Sequence, residues 1–299
     1  MNSDGNMIRC IQTVVTTGLI AGSFAHAQPQ PSITPEGQPN RVVIEYVAPK
    51  DPGLQDLYEV LKIKAALEKI QKILSPLRLP EELTVKTAEC GKADAWYTRE
   101  DFKPTVTICY ELFKTILESL PKETTAVGIT PDDAKIGQVL WLTLHEVGHA
   151  AFDLFNVPIF GHEEDAADNF ATYVMLQFAE ARRLIGGAAW AWHAYMQDYK
   201  RNPVVQVRLV SFAGNHGLPQ ERFYNLLCLA FGSNPVLFAD LTQAGYLPAT
   251  RAGNCQFEYL KMADAFNKEI TPHIDRELAR RVTEANWLPG PVLRGTPSR

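Results

Sequence analysis

Hydrophobic residues recur along the N-terminal third of the chain with two different periods. Residues 41–47 alternate and are rich in β-branched side chains, which predicts a first strand. Residues 54–74 repeat apolar side chains at helical spacing, which predicts one amphipathic helix. Residues 83–87 and 105–109 predict short strands on either side of a turn-rich segment.

From residue 110 onward the pattern is almost wholly helical and is interrupted at prolines. These prolines are Pro121, Pro131, Pro158, Pro203, Pro219, Pro235 and Pro248. Neither an internal repeat nor a shift of composition divides the chain after residue 41. We therefore expect an α+β fold over residues 41–299: a single domain of two lobes, with a small N-terminal β-sheet and a mainly helical body.

The first 27 residues have the pattern of a signal peptide. Arg9 precedes an uncharged apolar stretch over residues 11–24, and a small-x-small tripeptide follows as a cleavage site. We expect the mature chain to begin near Gln28, with residues 28–40 as a proline-rich, disordered linker. A membrane anchor is the alternative, but the apolar stretch is short for one. We therefore expect a secreted or periplasmic protein without stable membrane insertion after cleavage.

The cysteines fit an exported chain. Cys10 would be lost with the signal peptide, which leaves Cys90, Cys109, Cys228 and Cys255. An even number in an oxidising compartment predicts two disulfides, for which three connectivities are possible. We favour Cys90–Cys109 and Cys228–Cys255, because each pair closes a local loop.

The overall charge excludes some classes of partner. The 299 residues carry a formal net charge of -5, and no basic run stands out locally. This argues against a nucleic-acid partner and against a polybasic protein of the membrane surface.

The strongest chemical signal is the segment 142–151, which reads LTLHEVGHAA. His145 and His149 lie four residues apart, so both imidazoles project from one face of a helix and can bind one Zn²⁺. Glu146 is turned by about 100° around the axis, where it can act as a general base. Two surface histidines are the alternative, but three polar groups on an otherwise apolar helix would be costly without a metal.

The third metal ligand is expected soon after this helix. Residues 161–168 read GHEEDAAD and lead into a second apolar helix, which can converge with the first on one ion. We expect Glu164 to ligate the metal. Asp168, on the same face, is expected to accept a hydrogen bond from the second ring nitrogen of His145. An acidic helix N-terminus is the alternative, but it does not explain why the acids follow HExxH so closely.

The residues that follow HExxH exclude another class of zinc site. A metzincin requires Gly and then His or Asp at two places where this chain has Phe152 and Phe155. Asp153 follows His149 by one helical turn. We expect it to be a surface or outer carboxylate rather than a ligand.

HEVGH followed by ExxxD is similar to the gluzincin pattern of thermolysin-like peptidases. Together with Cys90, ICYEL over 108–112 and QERFYNLLCLAFG over 220–232, it resembles a bacterial metallopeptidase family classed as a domain of unknown function. The resemblance covers roughly residues 41–265. It implies a zincin-like fold and hydrolysis of peptide bonds.

The resemblance also implies two substrate contacts. Ala95 and Trp96 correspond to an edge strand that binds substrate backbone, with Asp94 in place of the usual Asn. His216 corresponds to a histidine that stabilises the oxyanion; a surface loop histidine is the alternative.

We therefore expect a zinc metallopeptidase with one Zn²⁺ per chain, acting on a peptide or protein substrate. Glu146 would assist the attack of zinc-bound water on the peptide bond. Two alternatives stay open. One is a catalytically inactive zinc-site protein acting as an extracytoplasmic binding module, and the other is a hydrolase of a different amide or ester bond.

Overall fold

Three of the four strands come from the segments that the sequence predicted from their β-branched residues, and the fourth, over residues 95–100, lies in the segment predicted to be rich in turns. In this computed structural model, which describes residues 41–192 and 214–290, four strands form one mixed sheet. They are β1 (Val42–Tyr46), β2 (Leu83–Ala88), β3 (Ala95–Glu100) and β4 (Lys103–Cys109). The order is β1-β2-β4-β3; β1, β2 and β4 run parallel, and β3 pairs antiparallel with β4 at the sheet edge.

Two helices lie between β1 and β2, where the sequence predicted one. They are α1 (Gln55–Ile63) and α2 (Ala66–Leu74). The prediction of a single helix over 54–74 was wrong because Ala65 adopts a left-handed conformation, with φ 49°, and interrupts the helical hydrogen bonds. The break reorients the chain so that α2 buries Leu67, Ile70 and Leu74.

The rest of the described chain is helical. The helices are α3 (Tyr110–Glu118), α4 (Pro131–Phe155), α5 (Glu163–Leu176), α6 (Ala181–Ala189), α7 (Pro219–Ser233), α8 (Asp240–Gln243), α9 (Ala249–Ala252), α10 (Cys255–Glu269) and α11 (Arg276–Glu284). Pro131 and Pro219 occupy the first positions of α4 and α7, where a missing N–H costs nothing. Pro203 lies outside the described residues.

Helix α4 is the central element of the helical body. It begins with a capping box between Thr130 and Asp133, and it packs against α5, α6 and the strands β3 and β4. Because it is covered on several sides, most of its residues are buried, which explains why so few are charged. The fold is therefore a small sheet joined to a mainly helical body, as predicted.

Two disulfides join neighbouring elements. Cys90 pairs with Cys109 at the end of β4, and Cys228 on α7 pairs with Cys255 at the start of α10. These are the two pairings that the sequence favoured. Within residues 41–192 and 214–290, no helix is long and apolar enough to cross a membrane. The predicted signal peptide and linker lie outside the described residues, and the division into two lobes stays a prediction.

Candidate metal centre

The two histidines of α4 turn their Nε2 atoms toward one point. The side chain of His145 is only 3% exposed, and its ring stacks on Trp141, one turn earlier, with centroids 5.5 Å apart. Nε2 of His149 lies 3.3 Å from Nε2 of His145. The four-residue spacing therefore brings both nitrogens together.

Glu164, in the first turn of α5, completes a triangle of donor atoms. Its Oε2 lies 3.0 Å from Nε2 of His145 and 3.5 Å from Nε2 of His149. Ligand atoms about 2 Å from an ion in tetrahedral geometry are about 3.3 Å apart. The three edges of the triangle, 3.0, 3.3 and 3.5 Å, bracket that value. Two imidazole nitrogens and a carboxylate oxygen fit a zinc ion in both chemistry and spacing.

A glycine allows α5 to come this close to α4. A Cβ added at Gly148 would lie 3.3 Å from Cα of Ala167 and 3.3 Å from Cβ of Phe170. Any larger residue would press on the backbone of α5, from which Glu164 projects. Gly148 thus belongs to the packing that assembles the site.

Each histidine has a carboxylate at its second nitrogen. Nδ1 of His149 lies 2.7 Å from Oε1 of Glu163, within hydrogen-bond range. Nδ1 of His145 lies 2.8 Å from Oδ1 of Asp168, although the angle is poor for a hydrogen bond, so we treat this contact as electrostatic. Both carboxylates favour a proton on Nδ1 and leave Nε2 free to bind a metal. The sequence suggested the partner of His145 but did not predict Glu163.

Asp168 is itself held by Arg222, a residue of α7 that the sequence did not single out. Nε and Nη2 of Arg222 donate to the two carboxylate oxygens of Asp168, each at 2.7 Å. The guanidinium also lies over the ring of Trp141, 5.2 Å from its centroid. Nothing in the sequence linked two residues that are 54 positions apart.

These contacts shift the protonation of the metal-free site. Burial alone would lower the pKa of His145, but Asp168 and Glu164 outweigh it and raise that pKa to about 9. The hydrogen bond to His145 is the main reason why the pKa of Glu164 falls to about 2. Without a metal, the pair is therefore an imidazolium and a carboxylate, and a metal must displace the proton to bind.

Glu146 lies between the histidines and the edge of the sheet. It is 8% exposed, and this burial raises the pKa of its carboxyl group above the ordinary value. The charges of His145 and His149 and the backbone N–H of Tyr97 oppose the shift. A buried carboxylate with a raised pKa beside a metal site is suited to proton transfer.

His216, in the loop before α7, also reaches the site. Its Nε2 lies 2.8 Å from Oε2 of Glu164, and its ring stacks on that of His145 with centroids 6.1 Å apart. The ligand atoms of His145, Glu164 and His216 all lie within 4.8 Å of one another. Because the side chain of His216 is 53% exposed, it can meet either an ion or a molecule arriving from solvent.

Strand β3 offers an open edge next to Glu146. The carbonyl of Asp94 accepts a hydrogen bond from the N–H of Cys109 on β4, at 3.0 Å. Backbone groups alternate in direction along an antiparallel strand, so those of Trp96 also face β4, whereas those of Ala95 and Tyr97 face the open edge. The carboxylate of Asp94 accepts a hydrogen bond from the N–H of Ala95 at 3.0 Å.

Asp153 contacts this strand rather than the donor triangle. It accepts hydrogen bonds from the hydroxyl of Tyr97 at 2.5 Å and from Nε of Arg99 at 2.8 Å. Its carboxylate is therefore engaged by β3.

Comparison with protein families gives a match over most of the chain. The model of the DUF4344 family, described as "Putative metallopeptidase", matches residues 46–269. The comparisons with curated proteins and with solved structures gave no match.

Proposed function

Because the chain belongs to DUF4344, a family described as putative metallopeptidases, we propose that it is a zinc-dependent peptidase that hydrolyses peptide bonds. One observation carries this proposal. Three donor atoms, Nε2 of His145, Nε2 of His149 and Oε2 of Glu164, form a triangle of zinc dimensions, and a buried carboxylate follows the first histidine. We propose that the triangle holds one Zn²⁺ per chain.

The remaining groups have roles that follow from their positions. A bound zinc ion supplies Lewis acidity, which polarises a carbonyl group and acidifies water. Glu146 takes a proton from the attacking water on its carboxylate and delivers it to the amine nitrogen that leaves. Asp168 and Glu163 keep the protons of the two histidines on Nδ1.

The substrate is proposed to lie along the open edge of β3. The outward carbonyl of Ala95, whose N–H already donates to Asp94, can accept a hydrogen bond from an extended peptide, and Trp96 offers an aromatic side chain beside it. His216 is within reach to donate a hydrogen bond from Nε2 to the developing oxyanion. This zincin-like arrangement of helix, base and edge strand is part of the proposal.

Two disulfides support a location outside the cytoplasm, where thiols are oxidised. We propose that residues 1–27 export the protein as a signal peptide, and that the mature protein is secreted or periplasmic. Its partners would then be extracytoplasmic peptides or proteins.

The alternative is a zinc-binding protein without catalytic turnover. The observation that favours it is the position of His216, whose Nε2 lies 2.8 Å from Oε2 of Glu164. The ligand atoms of His216, His145 and Glu164 lie within 4.8 Å of one another. If all three bound the ion together with His149, the site would have four protein ligands, like a structural zinc site. Turnover separates the two candidates, because only the peptidase has it.

The experiment combines metal analysis with hydrolysis of unfolded casein. We expect wild type to carry about one zinc per chain and to cleave casein in a chelator-sensitive way. Glu146→Gln should keep its zinc and lose at least about a hundredfold in kcat, because only the proton carrier is removed. Glu164→Ala should lose most of the zinc, and Glu123→Gln, an exposed glutamate outside the site, should match wild type. Zinc lost from Glu146→Gln, or full turnover in that variant, would contradict the proposal.

A further inference from the structure

One carboxylate ties the C-terminal half of α4 to the edge strand. Asp153 accepts hydrogen bonds from two side chains of β3, the hydroxyl of Tyr97 and Nε of Arg99, at 2.5 and 2.8 Å. Nη2 of Arg99 continues the cluster to Oε1 of Glu81, at 2.9 Å, in the segment before β2. Tyr97 and Arg99 are two residues apart and therefore project from the same face of the strand.

The same strand packs against α4, the helix that carries the proposed base. Glu146 and Asp153 are seven residues apart, so they differ by only about 20° around the helix axis and lie two turns apart on one face. The hydroxyl of Tyr97 is thus held by α4 at Asp153, two turns after Glu146.

These contacts fix the outward edge of β3 relative to Glu146. The outward backbone groups belong to Ala95, Tyr97 and Arg99, and two of these three residues carry the side chains that Asp153 holds. A shift of the strand along α4 would move the whole row of backbone donors and acceptors past the base. Such a shift would change where an extended peptide presents its bonds.

We propose that Asp153 is a positioning residue: it holds the edge of β3 in the register that places an extended peptide substrate against Glu146. This role rests on the proposed peptidase function. Asp153 does not touch the donor triangle, so the metal does not depend on it. Asp153 contributes through Tyr97 and Arg99 alone.

A general effect on stability is expected to be small. The side chains of Asp153 and Arg99 are 40% and 38% exposed, and solvent weakens an ion pair of this kind. Loss of Asp153 should therefore loosen β3 locally, while the thermal unfolding temperature changes little. Local and global effects can be measured separately.

The test compares Asp153→Ala with Asp132→Ala, a control on the same helix. Asp132 has a similar exposure, 47%, and pairs with Lys135 at 2.6 Å, away from β3. Tyr97→Phe is the second variant, since it removes only the hydroxyl and retains the ring. We expect amide hydrogen exchange in residues 95–100 to become about tenfold faster in Asp153→Ala and Tyr97→Phe but not in Asp132→Ala. Unchanged exchange in both variants would overturn the proposal.

The second measurement uses the zinc-loaded protein with an eight-residue casein-derived peptide and a blocked dipeptide amide. For Asp153→Ala we expect KM for the long peptide to rise about tenfold, with zinc affinity and kinetics on the dipeptide within twofold of wild type. An equal loss on both substrates would overturn the proposal, because it would indicate damage to the base or the metal site.

Failure of the proposed function has a different signature. In that case wild type hydrolyses neither substrate, and the affinity for the long peptide, measured by fluorescence anisotropy, replaces KM. Weaker binding by Asp153→Ala would then still support positioning of the edge, and unchanged binding would overturn it.

Discussion

Replacement of Asp168 by Asn tests how the metal site is supported. The side chain of Asp168 is 13% exposed and lies between two groups, with Nδ1 of His145 at 2.8 Å and two nitrogens of Arg222 at 2.7 Å. Asparagine keeps the shape but replaces one acceptor oxygen by an amide and removes the charge. Arg222 then loses at least one of its two hydrogen bonds, and His145 loses the anion that faces Nδ1.

The magnitudes follow from the burial of these groups. Removal of one partner from a buried ion pair costs about 3–5 kcal/mol. The side chain of Arg222 is 17% exposed, and its guanidinium keeps its contact with Trp141. We therefore expect the free energy of unfolding to fall by the lower end of this range, about 3 kcal/mol. Loss of the outer partner of a ligand histidine weakens metal binding by about 10- to 100-fold. We expect a loss of zinc affinity within that range.

Two assays separate the effects. Urea denaturation of the chelator-treated protein measures the loss of stability, and competition with a chromophoric chelator measures zinc affinity. Asp165→Asn is the control, because Asp165 lies three residues earlier on the same helix and is exposed. If Asp168→Asn bound zinc within twofold of wild type but lost stability, the carboxylate of Asp168 would stabilise only its ion pair with Arg222. The role assigned to it at His145 would then be refuted.

Two further predictions concern the assembly and the protonation of the site. Gly148→Ala should weaken zinc binding about tenfold. The new Cβ would lie 3.3 Å from Ala167 and from Phe170, so it would push α5 and its Glu164 away from the histidines. An unchanged zinc affinity in the chelator competition would contradict this prediction. The metal-free protein should lose stability as pH rises from 6.5 to about 9. The folded-state pKa of His145 is raised to about 9 from an ordinary 6.5, so its contribution is complete below 6.5 and disappears through about 9. Urea denaturation at pH 6, 7.5 and 9 checks this, and zinc-loaded protein should not show the loss.

The two histidines of the triangle could be predicted from the sequence because local helix geometry determines their spacing. His145 and His149 must share a face wherever the segment is helical, and two histidines on an apolar helix need a polar partner. The structure places the carboxylate of Glu164 beside both rings. The small sheet and the helical body were likewise predictable, since alternation and helical spacing are local signals.

The supporting contacts could not be predicted, for two physical reasons. Glu163 and Glu164 are adjacent at the start of α5. Only the position of α5 against α4 decides that Glu163 lies beside Nδ1 of His149 and Glu164 beside its Nε2. Arg222 reaches Asp168 through a packing contact between α5 and α7, which no local pattern encodes. The break at Ala65 was missed for a similar reason, because the segment contains neither glycine nor proline to mark it.

The direction of the Asp153 side chain follows from helix geometry once two faces of α4 are distinguished. A carboxylate four residues after His149 is only about 40° from that histidine around the axis, which suggests a further ligand. However, it is only about 20° from Glu146, because seven residues complete nearly two turns. The histidines face α5, and the face that carries Glu146 meets β3, where Tyr97 and Arg99 engage Asp153. Helix α4 therefore directs Asp153 to β3, whereas the carboxylate that lies beside both histidines, that of Glu164, comes from α5.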